Sequence, residues 1–227
     1  MSAGIRDIMA ASSLPVLVDC DDGYGDVKNV ARTVAGYEAM GVSAIFMEDQ
    51  RAPKRCGHMA GKDVIEADAM AAKLRAAADA RRGAEFFIIA RTDARAVHGL
   101  DDALRRAEMY LKAGADGLFI EAPQSVEELA RIGRAFAGVP QLANMVEGGG
   151  RTPVLPPDEL YRLGFAMVAY PTTLIFRVAR AIEGALADLK AARPAGKNDA
   201  VDFETFKDIV SLARWAEVER RSAASGK

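Results

Sequence analysis

Carboxylates recur in this sequence at one kind of place. Asp19 and Asp21, Glu48, Asp93 and Glu121 each stand at or just beyond the end of a short apolar run. Only 32 of the 227 residues are Asp or Glu, yet four of the six apolar runs end this way. Acids brought together repel one another unless a cation or a basic side chain sits among them. Hard oxygen donors without a neighbouring histidine suit Mg²⁺ or Mn²⁺ better than Zn²⁺. Asp19 and Asp21, two apart on an extended segment, should point the same way. A strand end that meets water also tolerates an acid, which explains any one of these residues better than it explains the group.

A second chemical feature is the loop 50–62, far longer than the ~2–6 residues usual between a strand and a helix. Its centre, Pro53-Lys54-Arg55-Cys56-Gly57-His58, sets a thiol beside two cations and an imidazole, the surroundings of a reactive cysteine rather than a core one. Gly57 and Gly61 would let the loop move as a lid. Cys20, between two acids, is expected in the helix layer with a structural role. Arg91, in Ala90-Arg91-Thr92-Asp93-Ala94, puts a guanidinium at a buried strand end, where it needs a carboxylate from the protein or from a substrate. Asn144 ends another run before Met145-Val146-Glu147-Gly148-Gly149-Gly150, a loop able to approach a ligand closely. His98, at a helix entry, should face solvent. No Walker-type or dinucleotide fingerprint is present.

Strands at 14–19, 44–48, 86–90, 117–121, 141–144 and 166–169 must position these residues. Each is nearly continuous in apolar character, as strands covered by helices read. Helical patterns fill the intervals at 27–40, 67–81, 100–113, 126–136 and 172–189, with a short helix opening at Pro156-Pro157-Asp158. Such βα alternation demands a parallel sheet, whose C-terminal strand ends share one face. A doubly wound sheet and a barrel both satisfy the pattern, and both place chemistry on that face; the site residues favour the barrel. Residues 1–190 read as the catalytic domain. Residues 191–201, with Pro194, Gly196 and Asn198, read as a linker, and 202–221 as one amphipathic helix. That helix either packs back on its own domain or docks on another subunit.

Half of the residues are hydrophobic and the net charge is −2, so no global field points to nucleic acid or a membrane surface. No apolar run approaches a membrane span, the N-terminus lacks a signal-peptide layout, and two dissimilar cysteines form no disulfide framework. A cytoplasmic globular protein is expected.

Five motifs in order carry a resemblance: Asp19-Cys20-Asp21-Asp22-Gly23-Tyr24-Gly25, Glu48-Asp49-Gln50, Pro53-Lys54-Arg55-Cys56-Gly57-His58, Ala90-Arg91-Thr92-Asp93-Ala94 and Asn144-Met145-Val146-Glu147-Gly148-Gly149. Over residues 14–189 the chain resembles the isocitrate lyase / phosphoenolpyruvate mutase superfamily. The resemblance implies a (β/α) TIM-type barrel with Mg²⁺ held, directly or through water, by Asp19, Asp21 and Glu48. It implies Cys56 as general acid on a gating loop. Gly57, His58, Arg91 and Asn144 would bind substrate, with Arg91 and Glu121 at the reaction centre. The motif Cys56-Gly57-His58-Met59-Ala60-Gly61-Lys62 and the asparagine loop are similar to the alkylmalate or 2,3-dimethylmalate lyase branch.

The activity so implied is Mg²⁺-dependent cleavage of a 2-hydroxy dicarboxylate to an α-keto acid and a carboxylic acid. Oxaloacetate decarboxylation or phosphonate chemistry is the alternative within the superfamily. A non-catalytic, truncated member is the alternative outside that class. Members carry about 60 further residues ahead of the first strand, as two more βα units of a ~250-residue barrel require, and none of these is legible in residues 1–13. The resemblance further implies a homo-oligomer, a tetramer built from dimers that exchange the C-terminal helix.

Overall fold

The computed structural model of the chain describes residues 1–196 and 199–224; Lys197 and Asn198 of the expected linker lie outside the described residues. The chain forms two compact units, Met1–Thr172 and Thr173–Lys227.

In the first unit, α1 (Ser2–Ala11) precedes six strands: β1 (Leu17–Asp19), β2 (Ala44–Glu48), β3 (Phe87–Thr92), β4 (Gly117–Ile120), β5 (Leu142–Asn144) and β6 (Met167–Ala169). Between them run α2 (Val27–Ala39), α3 (Ala67–Ala80), α4 (Ala94–His98), α5 (Leu100–Lys112), α6 (Val126–Ala135) and α7 (Pro157–Arg162). Local chemistry sets several ends. Asp26 caps α2 by accepting from the N–H groups of Lys28 and Asn29, while Asn29 answers to the Asp26 backbone. Ser125 caps α6 through the Glu128 N–H.

Every strand pairing is parallel, in the order β1-β2-β3-β4 and β5-β6, and a Leu118–Gln141 bridge joins β4 to the next pair. A doubly wound sheet would reverse its order partway, so this sequential order decides for the barrel.

Alternation along the strands sorts side chains into two layers. Val18, Cys20, Ile45, Met47, Ile88, Ala90, Leu118 and Ile120 pack outward against the helices in the main core. Phe46, Phe87, Ile89, Phe119, Leu142 and Met167 form a separate inner cluster, with Phe46 and Phe119 edge to face at 5.5 Å. Each fully buried Leu or Ile of these layers contributes about 1.5–3 kcal/mol. The same parity puts Asp19, Glu48, Arg91, Glu121 and Asn144 on the inner side, at the C-terminal ends of successive strands. Register confirms it, since Glu48 pairs across from Arg91 and Arg91 from Phe119.

Four sequence expectations need correction. The first strand starts at Leu17 rather than at residue 14, because the Leu14 N–H turns to the Ser12 hydroxyl and Pro15 has no N–H to give a ladder. The strand also stops at Asp19, so Asp21 does not continue in extended backbone. It lies in a turn with φ of +50°, its N–H bonded to the Asp19 carboxylate at 2.9 Å, ahead of Gly23 and Gly25. The expected helix over 202–221 is two helices, α9 (Phe203–Ile209) and α10 (Leu212–Ala224), broken where Ser211 adopts φ of +54°. Residues 1–13, in which no element was expected, hold α1, which buries Ile5.

The second unit contains α8 (Thr173–Lys190), placed with the barrel in the sequence reading, together with α9 and α10. No helix of the described residues is long and apolar enough to cross a membrane.

Candidate active site

The inner-facing strand ends build a charged cluster around Arg91. Its guanidinium grips Asp93 with two bonds, Nε to Oδ2 at 2.9 Å and Nη2 to Oδ1 at 3.2 Å. Nη1 lies 3.1 Å from Glu48 Oε2, Nη2 lies 4.0 Å from Glu121 Oε1, and the plane sits over the Phe119 ring at 5.0 Å. Three acids around one buried guanidinium keep it charged. Burial alone would raise Asp93, but Arg91 and Lys62 outweigh it and hold its carboxyl below the usual range.

Behind this cluster lies a second buried set. Asp49 accepts from the Thr92 hydroxyl (2.7 Å), the Asp93 N–H (2.9 Å), the Tyr110 hydroxyl (2.8 Å) and Arg106 (3.2 Å). Burial nonetheless pushes the Asp49 carboxyl up. These bonds fix the end of β3 and so fix where Arg91 and Asp93 stand.

The long loop folds over the cluster. Gln50 exchanges two 2.9 Å bonds with the Arg55 backbone, and Arg51 pairs with Asp63 at 2.8 Å, closing the loop at its base. Gly57 is buried, and its importance is close approach: a β-carbon there would strike Glu121 and come within 2.7 Å of Arg91 Nη2. His58 follows, with Nε2 3.1 Å from Glu121 Oε1 and Nδ1 accepting the Arg151 N–H at 2.9 Å. That bond ties the loop to the glycine-rich segment after Asn144. Asn144 Nδ2 lies 3.3 Å from both oxygens of Glu121. Cys56, one residue before Gly57, is exposed at the rim. Cys20 is buried among the helices, and burial pushes its thiol up.

Thus Glu48, Gly57, His58, Arg91, Glu121 and Asn144 come together as the sequence suggested. Asp21 joins them through Lys54, whose ammonium contacts Asp21 and lies 3.5 Å from Glu48 Oε1. Asp19 is exposed and spends one oxygen on the Asp21 N–H. Among the described residues, no three His, Cys, Asp or Glu side chains converge into a metal cage. Two observations still fit a divalent cation to this end of the barrel. Asp21 and Glu48 already share one positive group, the Lys54 ammonium. Both Glu48 oxygens are buried without a hydrogen bond of proper geometry, despite their ion-pair distances. Burial, only partly offset by Arg91, raises Glu48 to about 7, and a divalent cation at its oxygens would favour the ionised form.

Lys62 was missed as a site residue. It is the last residue of the loop, and its ammonium is buried against Asp93 at 2.8 Å and the Gly57 carbonyl. Only its place in the Cys-Gly-His-Met-Ala-Gly-Lys motif hinted at it. Arg151 and the Asp49 network gave no signal, because their contacts join segments distant in sequence.

A profile of the phosphoenolpyruvate phosphomutase family matches residues 1–190. The chain is 44% identical over 225 residues to a 2,3-dimethylmalate lyase of Eubacterium barkeri, covering 98% of this chain and 77% of that protein. A crystal structure of 2,3-dimethylmalate lyase, 34% identical, superposes with a TM-score of 0.89 over 98% of this chain and 74% of that one. Phosphonopyruvate hydrolase in complex with oxalate and Mg²⁺, 27% identical, superposes with a TM-score of 0.82 over 96% of this chain and 76% of that one. Profile, identity and fold agree: the chain belongs to the phosphoenolpyruvate phosphomutase family, within the phosphoenolpyruvate mutase / isocitrate lyase superfamily.

Proposed function

We propose that this protein is a Mg²⁺-dependent carbon–carbon lyase that cleaves a 2-hydroxy dicarboxylate of the alkylmalate type to an α-keto acid and a carboxylic acid. The observation that carries the reading is where unsatisfied polar atoms lie. Of the six buried side-chain atoms without a well-formed hydrogen bond among the described residues, four belong to Glu48, His58 and Asn144; those of Glu48 and His58 have only ion-pair neighbours, and Asn144 Oδ1 has none. Buried polar groups are normally paired, so a cluster of exceptions on an enzymatic face marks where a polar ligand belongs.

Asp21 and Glu48 would hold Mg²⁺, with Asp19 beside them in its outer shell. Bound there, the metal supplies Lewis acidity to the substrate hydroxyl and its adjacent carboxylate. Arg91 presents a guanidinium fixed from behind by Asp93, suited to one carboxylate of the substrate. Asn144 and His58 border the same space and orient the second carboxylate, and Glu121 holds both in place. The hydroxyl gives its proton to solvent water as the adjacent carbon–carbon bond breaks, and the departing carbon takes the electron pair as an enediolate-like anion. Cys56 returns a proton to that carbon from the loop above. The resemblance to a named 2,3-dimethylmalate lyase supports this assignment over oxaloacetate or phosphonate chemistry, as does the thiol in the loop. Exposed apolar residues along α8 to α10 support a homo-oligomer.

Serine has nearly the shape of cysteine but is a far weaker acid, so Cys56→Ser should lose ~10²–10⁴-fold in turnover, the range for one acid–base group. Mg²⁺ affinity should stay unchanged. Steady-state cleavage of 2-alkylmalates, followed through the α-keto acid, makes the measurement. Cleavage by the variant at the parent rate, or consumption of only oxaloacetate or a phosphonate, overturns the reading.

A further inference from the structure

The loop that carries Cys56 is held down by one of its own residues. Lys62 stands on the loop and not on a strand, yet its side chain is only 2% exposed and sits against an Asp93 side chain that is wholly buried. A buried ammonium costs several kcal/mol unless paired and hydrogen-bonded, so its position depends on the partners it finds there. Its two partners lie on opposite sides of the lid. One is the Gly57 carbonyl, within the loop and one residue past Cys56; the other is Asp93 Oδ1, on the barrel at 2.8 Å. That oxygen also accepts from Arg91 Nη2 at 3.2 Å. One carboxylate therefore serves both the lid and the guanidinium that faces Glu48 and Glu121.

We propose that Lys62 is a positioning residue, the latch that sets the closed height of the Cys56 loop and couples it, through Asp93, to the orientation of Arg91. Lys62 touches neither the reacting atoms nor the substrate; it acts through Gly57 and Asp93. Three features support a latch over a general packing role. The ammonium bridges loop and barrel instead of bonding within one of them. Gly57, the residue it pulls down, lacks the β-carbon that would collide with Glu121 and Arg91. Of the loop's other anchors, Gln50 to Arg55 and Arg51 to Asp63 lie at its base, and His58 meets Glu121 and Arg151 through its side chain, whereas Lys62 takes hold of the backbone itself at Gly57, next to Cys56.

The assignment of Cys56 as the acid rests on the proposed lyase reaction, whereas the latch itself does not. Two readouts separate them. Hydrogen exchange of the peptide spanning 51–63 reports the latch in the free protein, without substrate or metal. Lys62→Met should speed exchange there about tenfold, the effect of losing one charge-assisted bond, while the peptides of β2 and β3 stay protected. Tryptic cleavage after Lys54 and Arg55 should accelerate in parallel. In turnover of a 2-alkylmalate, kcat should fall about 10²-fold with KM changed less than about threefold, because a displaced acid slows the step more than it weakens binding. Should Lys62→Met fail to fold, Lys62→Gln carries the same test without leaving an apolar group against Asp93. Unchanged loop exchange in a folded variant overturns the latch. Faster loop exchange in the variant, with a parent protein that cleaves no alkylmalate, keeps the latch and removes the lyase reading.

Discussion

The two units of the chain are incomplete in opposite ways. In Met1–Thr172 the strand ends bury charges: Glu48, Asp49, Arg91, Asp93 and Glu121 are almost wholly shielded, and Glu48, His58 and Asn144 still hold atoms without a well-formed hydrogen bond. In Thr173–Lys227 the reverse holds. α8 buries none of its residues, and Leu174, Ile175, Phe176, Ile182 and Leu186 all remain exposed, as do Phe203, Phe206, Ile209 and Trp215 of α9 and α10. Polar atoms hidden without partners call for a small polar ligand. Apolar side chains shown to water in a contiguous set call for a protein surface. The two kinds of incompleteness point to two kinds of completion, and each can be tested without disturbing the other.

The sharpest break is at Arg91. Arg91→Met should abolish turnover by at least about 10³-fold, since it removes a carboxylate anchor and leaves Glu48 and Asp93 without their main counter-charge. Thermal unfolding should show a loss on the order of 3–5 kcal/mol for the first unit. Activity near the parent level would mean the cluster is structural only.

A smaller effect is expected in the second unit. Deleting residues 202–221 should lower the oligomer order seen by light scattering and leave the unfolding of the barrel nearly unchanged. A species of equal mass before and after deletion would show that these apolar faces are completed in some other way.

The smallest effect concerns Glu48, whose carboxyl lies near 7 chiefly because of burial. A raised acid binds its proton more tightly in the folded state, so in metal-free protein its contribution to stability is full below its unfolded value and fades as pH climbs toward 7. For a cation the sign reverses, because the proton competes with it. Mg²⁺ affinity measured by calorimetry should rise about fivefold from pH 6 to 7, about twofold more by pH 8, and level off above that. Affinity flat across this range would remove Glu48 from the metal site.

Much of this arrangement is legible in the sequence, for reasons that particular residues make plain. Strand parity is local, so the apolar runs together with Glu48, Arg91, Glu121 and Asn144 announce both the element and the face. Helix stops are local too: Gly41 and Gly114 follow α2 and α5 with φ of +87° and +105°. The turn at Asp21 was hidden because two acids around a cysteine look like a strand until Gly23 and Gly25 are weighed as a competing signal. The break at Ser211 was hidden because amphipathic spacing continues across it in register. Lys62 was hidden for a deeper reason. Its partners are a backbone carbonyl and an acid 31 positions away, and a lysine in a glycine-containing loop reads as solvated until the fold brings Asp93 beneath it.

The parity of β2 and β3 also bears on what evolution can vary in such a molecule. Glu48 and Arg91 meet because they sit in register and share a face, with Met47 and Ala90 turned to the helices. Slipping either strand by one residue would exchange acid for methionine and guanidinium for alanine, erasing the cluster without altering composition. The loop 51–63 is constrained by contact instead of register: its ends are fixed at Gln50 and Val64, and between them Gly57 and Lys62 are set by Glu121, Arg91 and Asp93. A barrel of this kind is therefore strict in its counting along the strands, and a 2,3-dimethylmalate lyase and a phosphonopyruvate hydrolase both superpose on that frame.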